Sequence, residues 1–361
     1  MFNDFKLLVA DQAGQFSNAF FSGEPGKRYV LGINEYAQEV AGLVNLDGFI
    51  DDYTDAVSWL GKPIVRLASI DPDSMVVSCV TANRPITALA RLQAAGIHRY
   101  CDYFSLANIS AGKLPLVHAL AETRQDHLAN AAEYQWVRAR LCDDESRHIF
   151  DNLMEFRLTG NLGAMAGFTY AADRQYFEPF VVLDKCEVFV DGGGFDGYTS
   201  EEFARRCPDY MGIHFFEPSQ TMLTVAKGKL AHLERIHFHR LGLYDRRTTL
   251  RFDADSGSAS RISETGGDTI EVACLDDAVG GRVSFIKLDL EGAEPKALNG
   301  SREHILTDHP KLAVAVYHDP AHFWQIPKLV LGMRDDYRVY LRHYTEGWTE
   351  TVMFFVPDRA S

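Results

Sequence analysis

The sequence has no apolar stretch of the roughly 18 residues needed to cross a bilayer. Its start, "MFNDFKLLVADQAG", lacks the basic residues, apolar core and small-residue cleavage site of a secretory leader, so a cytoplasmic protein is expected. No Lys/Arg-rich run offsets the acid excess, 36 Lys+Arg against 50 Asp+Glu, for a formal net charge of -14. Such a chain repels phosphate backbones, which argues against general nucleic-acid binding. None of the six cysteines (Cys79, Cys101, Cys142, Cys186, Cys207, Cys274) lies in a Cys-x-x-Cys pair. Several have apolar, strand-like neighbours, so buried thiols are expected rather than disulfides or zinc ligands. Repeats and low-complexity tracts are absent.

What is present is an alternation of strands and helices over 361 residues, a length that suits two domains. In the first third, "RYVLGI", "LDGFIDD", "KPIVRL" and "SMVVSCV" read as strands. "EYAQEVAGLV" and "ITALARLQAAG" read as helices between or after them, the pattern of a parallel sheet. The strand signal stops near Gly112, and "HALAETRQDHLANAAEYQWVRARL" and "DDESRHIFDNLMEFRLTG" predict helices, the second stopped by Gly160. Strands return from Glu187: "EVFVD", "GIHFFEP", "IHFHRLGL", "TLRFDA", "TIEVACL", "SFIKLDL", "LAVAVYH", "YRVYLRH" and "TVMFFVP". Helices are expected over Thr199–Arg206, Ser219–Ala231, Glu294–His304 and Pro320–Leu331. The last two strands are separated only by "YTEGWTE", too short for a helix, and must pair antiparallel as a hairpin. The expected organisation is an α/β Rossmann-like domain over 1–106, a helical connector over 107–180 and a second α/β domain over 181–361.

"VFVDGGGFDGYTS" (Val188–Ser200) ends a strand in Asp191 and satisfies G-x-G-x-x-G with Gly192, Gly194 and Gly197. Alone the pattern is weak, and a tight turn without ligand also fits it. A dinucleotide would bring its pyrophosphate to this turn. Asp191 before the glycines and Glu217 after the next strand, in "FFEPS", would repel it. S-adenosylmethionine carries a sulfonium and an ammonium and no phosphate, so two carboxylates favour it. Asp191 would organise the loop, and Glu217 would take both ribose hydroxyls.

A second group of acids follows the strand in "FIKLDLEGAEPKALNG". Asp289 is placed at the crevice where open α/β sheets bind ligands, to hold the cofactor's ammonium or to position the acceptor. Glu291 starts the turn after it; Lys287 could pair with Asp289, and Glu294 suits a helix first turn beside Pro295. His318 ends the strand "LAVAVYH" and is a candidate general base or a structural histidine. Asp289, Glu291 and His318 are hard or borderline ligands, but their spacing is no recognised metal signature and no metal is expected. Arg342, His343 and Tyr344 would line an acceptor pocket or brace the hairpin.

"VFVDGGGFDGYTS", "FFEPS", "FIKLDLEGAEPKAL", "LAVAVYH" and "YLRHYTEGWTETV", in this order, together with "DDESRHIFDNLMEFRLTG" and "YFEPFV", resemble the FkbM-type family of S-adenosylmethionine-dependent methyltransferases over residues 140–357. The resemblance implies a seven-stranded class I methyltransferase fold and methyl transfer, most often to a hydroxyl. It places the cofactor on Asp191, Gly192, Gly193, Gly194, Phe195 and Gly197, on Glu217, Pro218 and Ser219, and on Asp289. His318, Asp289 and Glu291 are left as the catalytic candidates. Gly194 stands where the family often has alanine, a change expected to be tolerated and to loosen the turn. "VLGINEYAQEV" and "LDGFIDD" are similar to the nucleotide-sugar-binding domain that precedes bacterial sugar N-acetyltransferases. Gly32, Asn34 and Ala37 keep only part of its glycine pattern, leaving a nucleotide-sugar site or a scaffold. The expected function is O-methylation of a sugar, glycan or related natural product. A nucleotide-sugar-binding protein with an inactive methyltransferase domain and an NAD-dependent sugar oxidoreductase are the alternatives.

Overall fold

The computed structural model describes residues 10–252 and 268–358. The first nine residues, at the start of "MFNDFKLLVADQAG", and the end of "TLRFDA" lie outside them. The chain divides into two compact units: residues 1–129 with 150–172 and 344–349, and residues 130–149 with 173–343 and 350–361.

The first unit holds a six-stranded sheet of β1 (Arg28–Leu31), β2 (Gly48–Ile50), β3 (Ser58–Trp59), β4 (Lys62–Val65), β5 (Met75–Ser78) and β6 (Arg99–Asp102), in the order β3-β4-β2-β1-β5-β6. All pairings are parallel except that of β3 with β4. Strands β1 and β5 are buried along their whole length, as apolar runs in a covered parallel sheet should be. Helices Glu35–Leu43 and Pro85–Ala94 supply the crossovers. Asn34 caps the first of these through the Ala37 amide at 3.0 Å and donates to the Cys79 carbonyl at 2.8 Å.

Helix His118–Arg138 loses helical geometry at Asn130, where the chain passes from one unit to the other. Helix Asp144–Thr159 begins after Asp143, whose carboxylate takes the Ser146 amide at 2.7 Å. It ends before Gly160, left-handed at φ 74°.

The second unit is built on β7 (Val188–Gly192), β8 (Gly212–Phe216), β9 (Ile236–His239), β10 (Gly242–Leu243), β11 (Thr248–Phe252), β12 (Asp268–Ala273), β13 (Phe285–Leu288), β14 (Lys311–Ala315), β15 (Tyr337–His343) and β16 (Thr351–Pro357). Seven of these form one sheet in the order β15-β16-β14-β13-β7-β8-β9. Strands β14, β13, β7, β8 and β9 run parallel, and β16 pairs antiparallel with both β14 and β15. The expected α/β class and the closing hairpin are therefore both present. Strands β10, β12 and β11 make a separate small sheet, so the expected strand "IHFHRLGL" is two strands, in different sheets. The expected helix Glu294–His304 is also two helices, Glu294–Asn299 and Arg302–Asp308, parted at Gly300.

Among the described residues no helix is long and apolar enough to cross a membrane. All six cysteines are free; Cys79, Cys101 and Cys207 are buried, while Cys142 and Cys186 are exposed.

Candidate active site

The carboxyl ends of β7, β8, β13 and β14 carry the sequence-predicted residues, as expected for an open α/β sheet. Asp191 is fully buried. Parallel register sets Lys287 of β13 beside it, with Nζ 3.1 Å from Oδ1. Lys287 therefore pairs with Asp191 and not with Asp289. Ser200 Oγ donates to Asp191 Oδ2 at 2.7 Å, and Lys287 Nζ also donates to the carbonyls of Gly192 and Gly193, at 3.1 and 2.6 Å. The charge of Asp191 is spent on holding the loop rather than on facing a ligand.

The loop amides are spent as well. Gly193 and Gly194 both donate to the Phe216 carbonyl, at 3.1 and 3.0 Å, and Gly197 donates to the Gly194 carbonyl at 2.9 Å. Phe195, left-handed at φ 48°, donates to Glu217 Oε2 at 3.0 Å, and Ser219 donates to Oε1 at 2.8 Å. The Tyr198 amide goes to Asp196 Oδ1 at 3.0 Å. A Cβ at Gly193 would lie 1.9 Å from the Asp289 carbonyl, so loop and β13 end touch through bare backbone. A Cβ at Gly194 would lie 2.2 Å from the Phe215 ring, so a side chain at this position would need that ring to move. Pro218 follows Glu217, and Ser219 caps helix Gln220–Lys229. Burial raises the Glu217 carboxyl above its usual range, against the pull of the Ser219 and Phe195 amides.

Asp289, Glu291 and His318 come together. His318 Nε2 is 3.4 Å from Asp289 Oδ1 and 3.3 Å from Glu291 Oε2, while Nδ1 is 2.9 Å from Glu294 Oε1. Burial opposes charge on His318, but Glu294, Glu291 and Asp289 raise it well above the ordinary imidazole range. Glu294 stands in a helix first turn beside Pro295, as expected; it is fully buried, takes the Leu290 amide at 2.7 Å and lies 3.4 Å from His322 Nδ1. Burial works against its charge too, yet His318 and His322 hold it at about 2.

Several neighbours were not singled out in the sequence. Tyr176 donates to Asp289 Oδ2 at 2.6 Å. Tyr317 Oη stands 3.4 Å from Asp289 Oδ1 and 3.3 Å from Glu350 Oε1. Gln175 donates to Glu350 Oε2 at 2.6 Å. Burial first, and then the charge of Asp289, push Glu350 up to about 7.

Arg342 is elsewhere engaged. It is buried and donates to Ser146 Oγ at 2.8 Å and Asp143 Oδ2 at 2.7 Å, bracing a helix start. His343 Nδ1 lies 2.9 Å from Thr351 Oγ1 across the hairpin. A cavity of about 940 Å³ opens at the opposite end of the sheet, lined by Glu187, Ser284, Lys311 and Arg338 among others. It contains none of the residues above, and the strand ends it borders are not those at which such sheets bind ligands.

Residues 191–346 match the family model described as the methyltransferase FkbM domain. The crystal structure of methyltransferase FkbM from Methylobacillus flagellatus KT superposes over 97% of this chain and 94% of that chain, with a TM-score of 0.73 and 21% identity. An rRNA methylase from Streptococcus thermophilus overlaps 49% of this chain and 90% of its own, with a TM-score of 0.34 and 14% identity. Among curated proteins no sequence matches. The strand order, the glycine loop after β7 and the matched segment agree in likening residues 191–346 to a methyltransferase FkbM domain.

Proposed function

We propose that residues 181–361 catalyse S-adenosylmethionine-dependent O-methylation of a sugar, glycan or related natural product. The observation that carries the cofactor is the state of the loop amides. Those of Gly193, Gly194, Phe195 and Gly197 are all satisfied within the protein, so they offer nothing to a pyrophosphate. Glu217 accepts one amide on each oxygen and keeps further lone pairs for adjacent ribose hydroxyls. Gly192 and the backbone of Asp191, together with Pro218 and Ser219, complete the set that would hold the cofactor.

The cofactor supplies a methyl group activated on a sulfonium. The chain's part is to align an acceptor oxygen and remove its proton. Asp289, Glu291 and Glu350, beside the hydroxyls of Tyr176 and Tyr317, offer many hydrogen-bond partners to a polyhydroxylated acceptor. Asp289 is favoured as proton acceptor: its Oδ2 is anchored by Tyr176, whereas His318 Nε2 is already flanked by two carboxylates. For the first unit a scaffold role is favoured over a nucleotide-sugar site, because Asn34 is occupied by Ala37 and Cys79 at the ends of β1 and β5.

Calorimetric titration with S-adenosylmethionine, S-adenosylhomocysteine, NAD and NADP tests the cofactor. Heat is expected with the first two only, and binding of NAD alone would overturn the reading in favour of an oxidoreductase. Release of S-adenosylhomocysteine with sugar and glycan acceptors tests the reaction. Cofactor binding without turnover on any hydroxyl acceptor would point to an inactive domain, and UDP-sugar binding by the full chain would then replace the scaffold role.

A further inference from the structure

We propose that Asp289, Glu291 and His318 form a binding site for one divalent cation. One ligand atom from each lies within 4.8 Å of the others. The His318 side chain is 5% exposed, and neither of its ring nitrogens makes a hydrogen bond. Its Nε2 is aimed between Asp289 Oδ1 and Glu291 Oε2, at 3.4 and 3.3 Å, where an ion bridging all three would sit.

The outer contacts fix the ligand atoms in the manner of a metal site. Tyr176 holds Asp289 by Oδ2 at 2.6 Å, while Oδ1 lies 3.4 Å from both His318 Nε2 and the Tyr317 hydroxyl. Glu294 Oε1, itself held by the Leu290 amide, lies 2.9 Å from His318 Nδ1, a charge contact behind the ring. A carboxylate behind a ligating imidazole is the usual support for such a ligand. Glu291 keeps a left-handed backbone, φ 51°, a conformation costly for a residue with a side chain and retained mostly where function demands it.

Charge points the same way. Four carboxylates, Asp289, Glu291, Glu294 and Glu350, gather around two imidazoles, His318 and His322. The ammonium of Lys287 is occupied by Asp191 and two loop carbonyls. Glu294 is buried and the other three carboxylates are half-buried, an excess of acid that a cation would offset. Two carboxylate oxygens and one imidazole nitrogen, with positions left open, suit Mn²⁺ best, with Mg²⁺ as the weaker alternative. The open positions would take hydroxyls of the acceptor, and the ion would make one of them more acidic; this last role rests on the methyl-transfer reading, whereas the site itself does not.

The test uses the full chain, stripped with chelator and desalted, with no cofactor added. Titration of Mn²⁺, followed by loss of the free-ion EPR signal, should give one ion per chain. Pulsed EPR of the wild type should show nitrogen coupling from an imidazole. Asp289→Asn and His318→Gln, each checked for folding by circular dichroism, should weaken binding at least tenfold. No bound Mn²⁺ in the folded wild type, a bound ion without nitrogen coupling, or undiminished binding in both folded variants would overturn the proposal. If Mn²⁺ binds as expected but S-adenosylmethionine does not, the cation site stands and the methyl-transfer reading falls.

Discussion

Lys287 Nζ and Asp191 Oδ1 lie 3.1 Å apart beneath the glycine loop, with side chains 3% and 0% exposed. Removing one partner of such a pair strands the other charge in the interior, at a cost of about 3–5 kcal/mol. Lys287→Met should therefore lower stability by that order in urea denaturation and release the Gly192 and Gly193 carbonyls that position the loop. The double variant Asp191→Asn with Lys287→Met should be less destabilised than the sum of the single changes. Simple additivity would mean that the pair does not couple.

Gly194 and Phe215 share one space. A methyl group at position 194 would stand 2.2 Å from the ring, and that ring packs with Leu223, Ala226 and Leu230. Gly194→Ala should cost about 1–3 kcal/mol through overpacking. Adding Phe215→Leu should recover part of the loss. A thermal melt that leaves Gly194→Ala at the wild-type midpoint would show that the ring moves aside freely.

Much of this was legible in order along the chain. Apolar runs ending in acids located β7, β8 and β13, and a linker too short for a helix required the antiparallel hairpin of β15 and β16. What stayed hidden depends on distance in sequence. Tyr176 and Glu350 reach the Asp289 cluster from segments with no periodic pattern, both held at positive φ, 73° and 61°. The partner of Lys287 was misread because proximity in sequence favoured Asp289, whereas strand register favours Asp191. The two acids expected to select the cofactor by charge differ in the same way: only Glu217 remains without a buried cation at its carboxylate.

Glu217 links two loops through the amides of Phe195 and Ser219. In Glu217→Gln one of these amides meets an NH2 group instead of an oxygen, so a donor faces a donor. Affinity for S-adenosylmethionine should fall at least tenfold, a loss of about 1.4 kcal/mol. Calorimetry on the folded variant reads this directly. Unchanged affinity would remove Glu217 from the cofactor site.

The histidines of β8 and β9 give the fold a dependence on pH. His214 and His237 are register partners with stacked rings 5.0 Å apart, and His239 Nε2 lies 3.2 Å from His214 Nδ1. Burial, reinforced by His239, His237 and His304, lowers His214 from 6.5 to about 4. Burial lowers His239 as well. The unfolded chain then takes up protons before the folded one does. Stability contributed here is complete above pH 6.5, declines as pH falls towards about 4, and changes no further below that. Urea denaturation at a series of pH values should show this slope in the wild type and a shallower one in His214→Gln. Equal slopes in the two proteins would place the acid sensitivity elsewhere, and an NMR titration of the His214 ring near 6.5 would remove its cause.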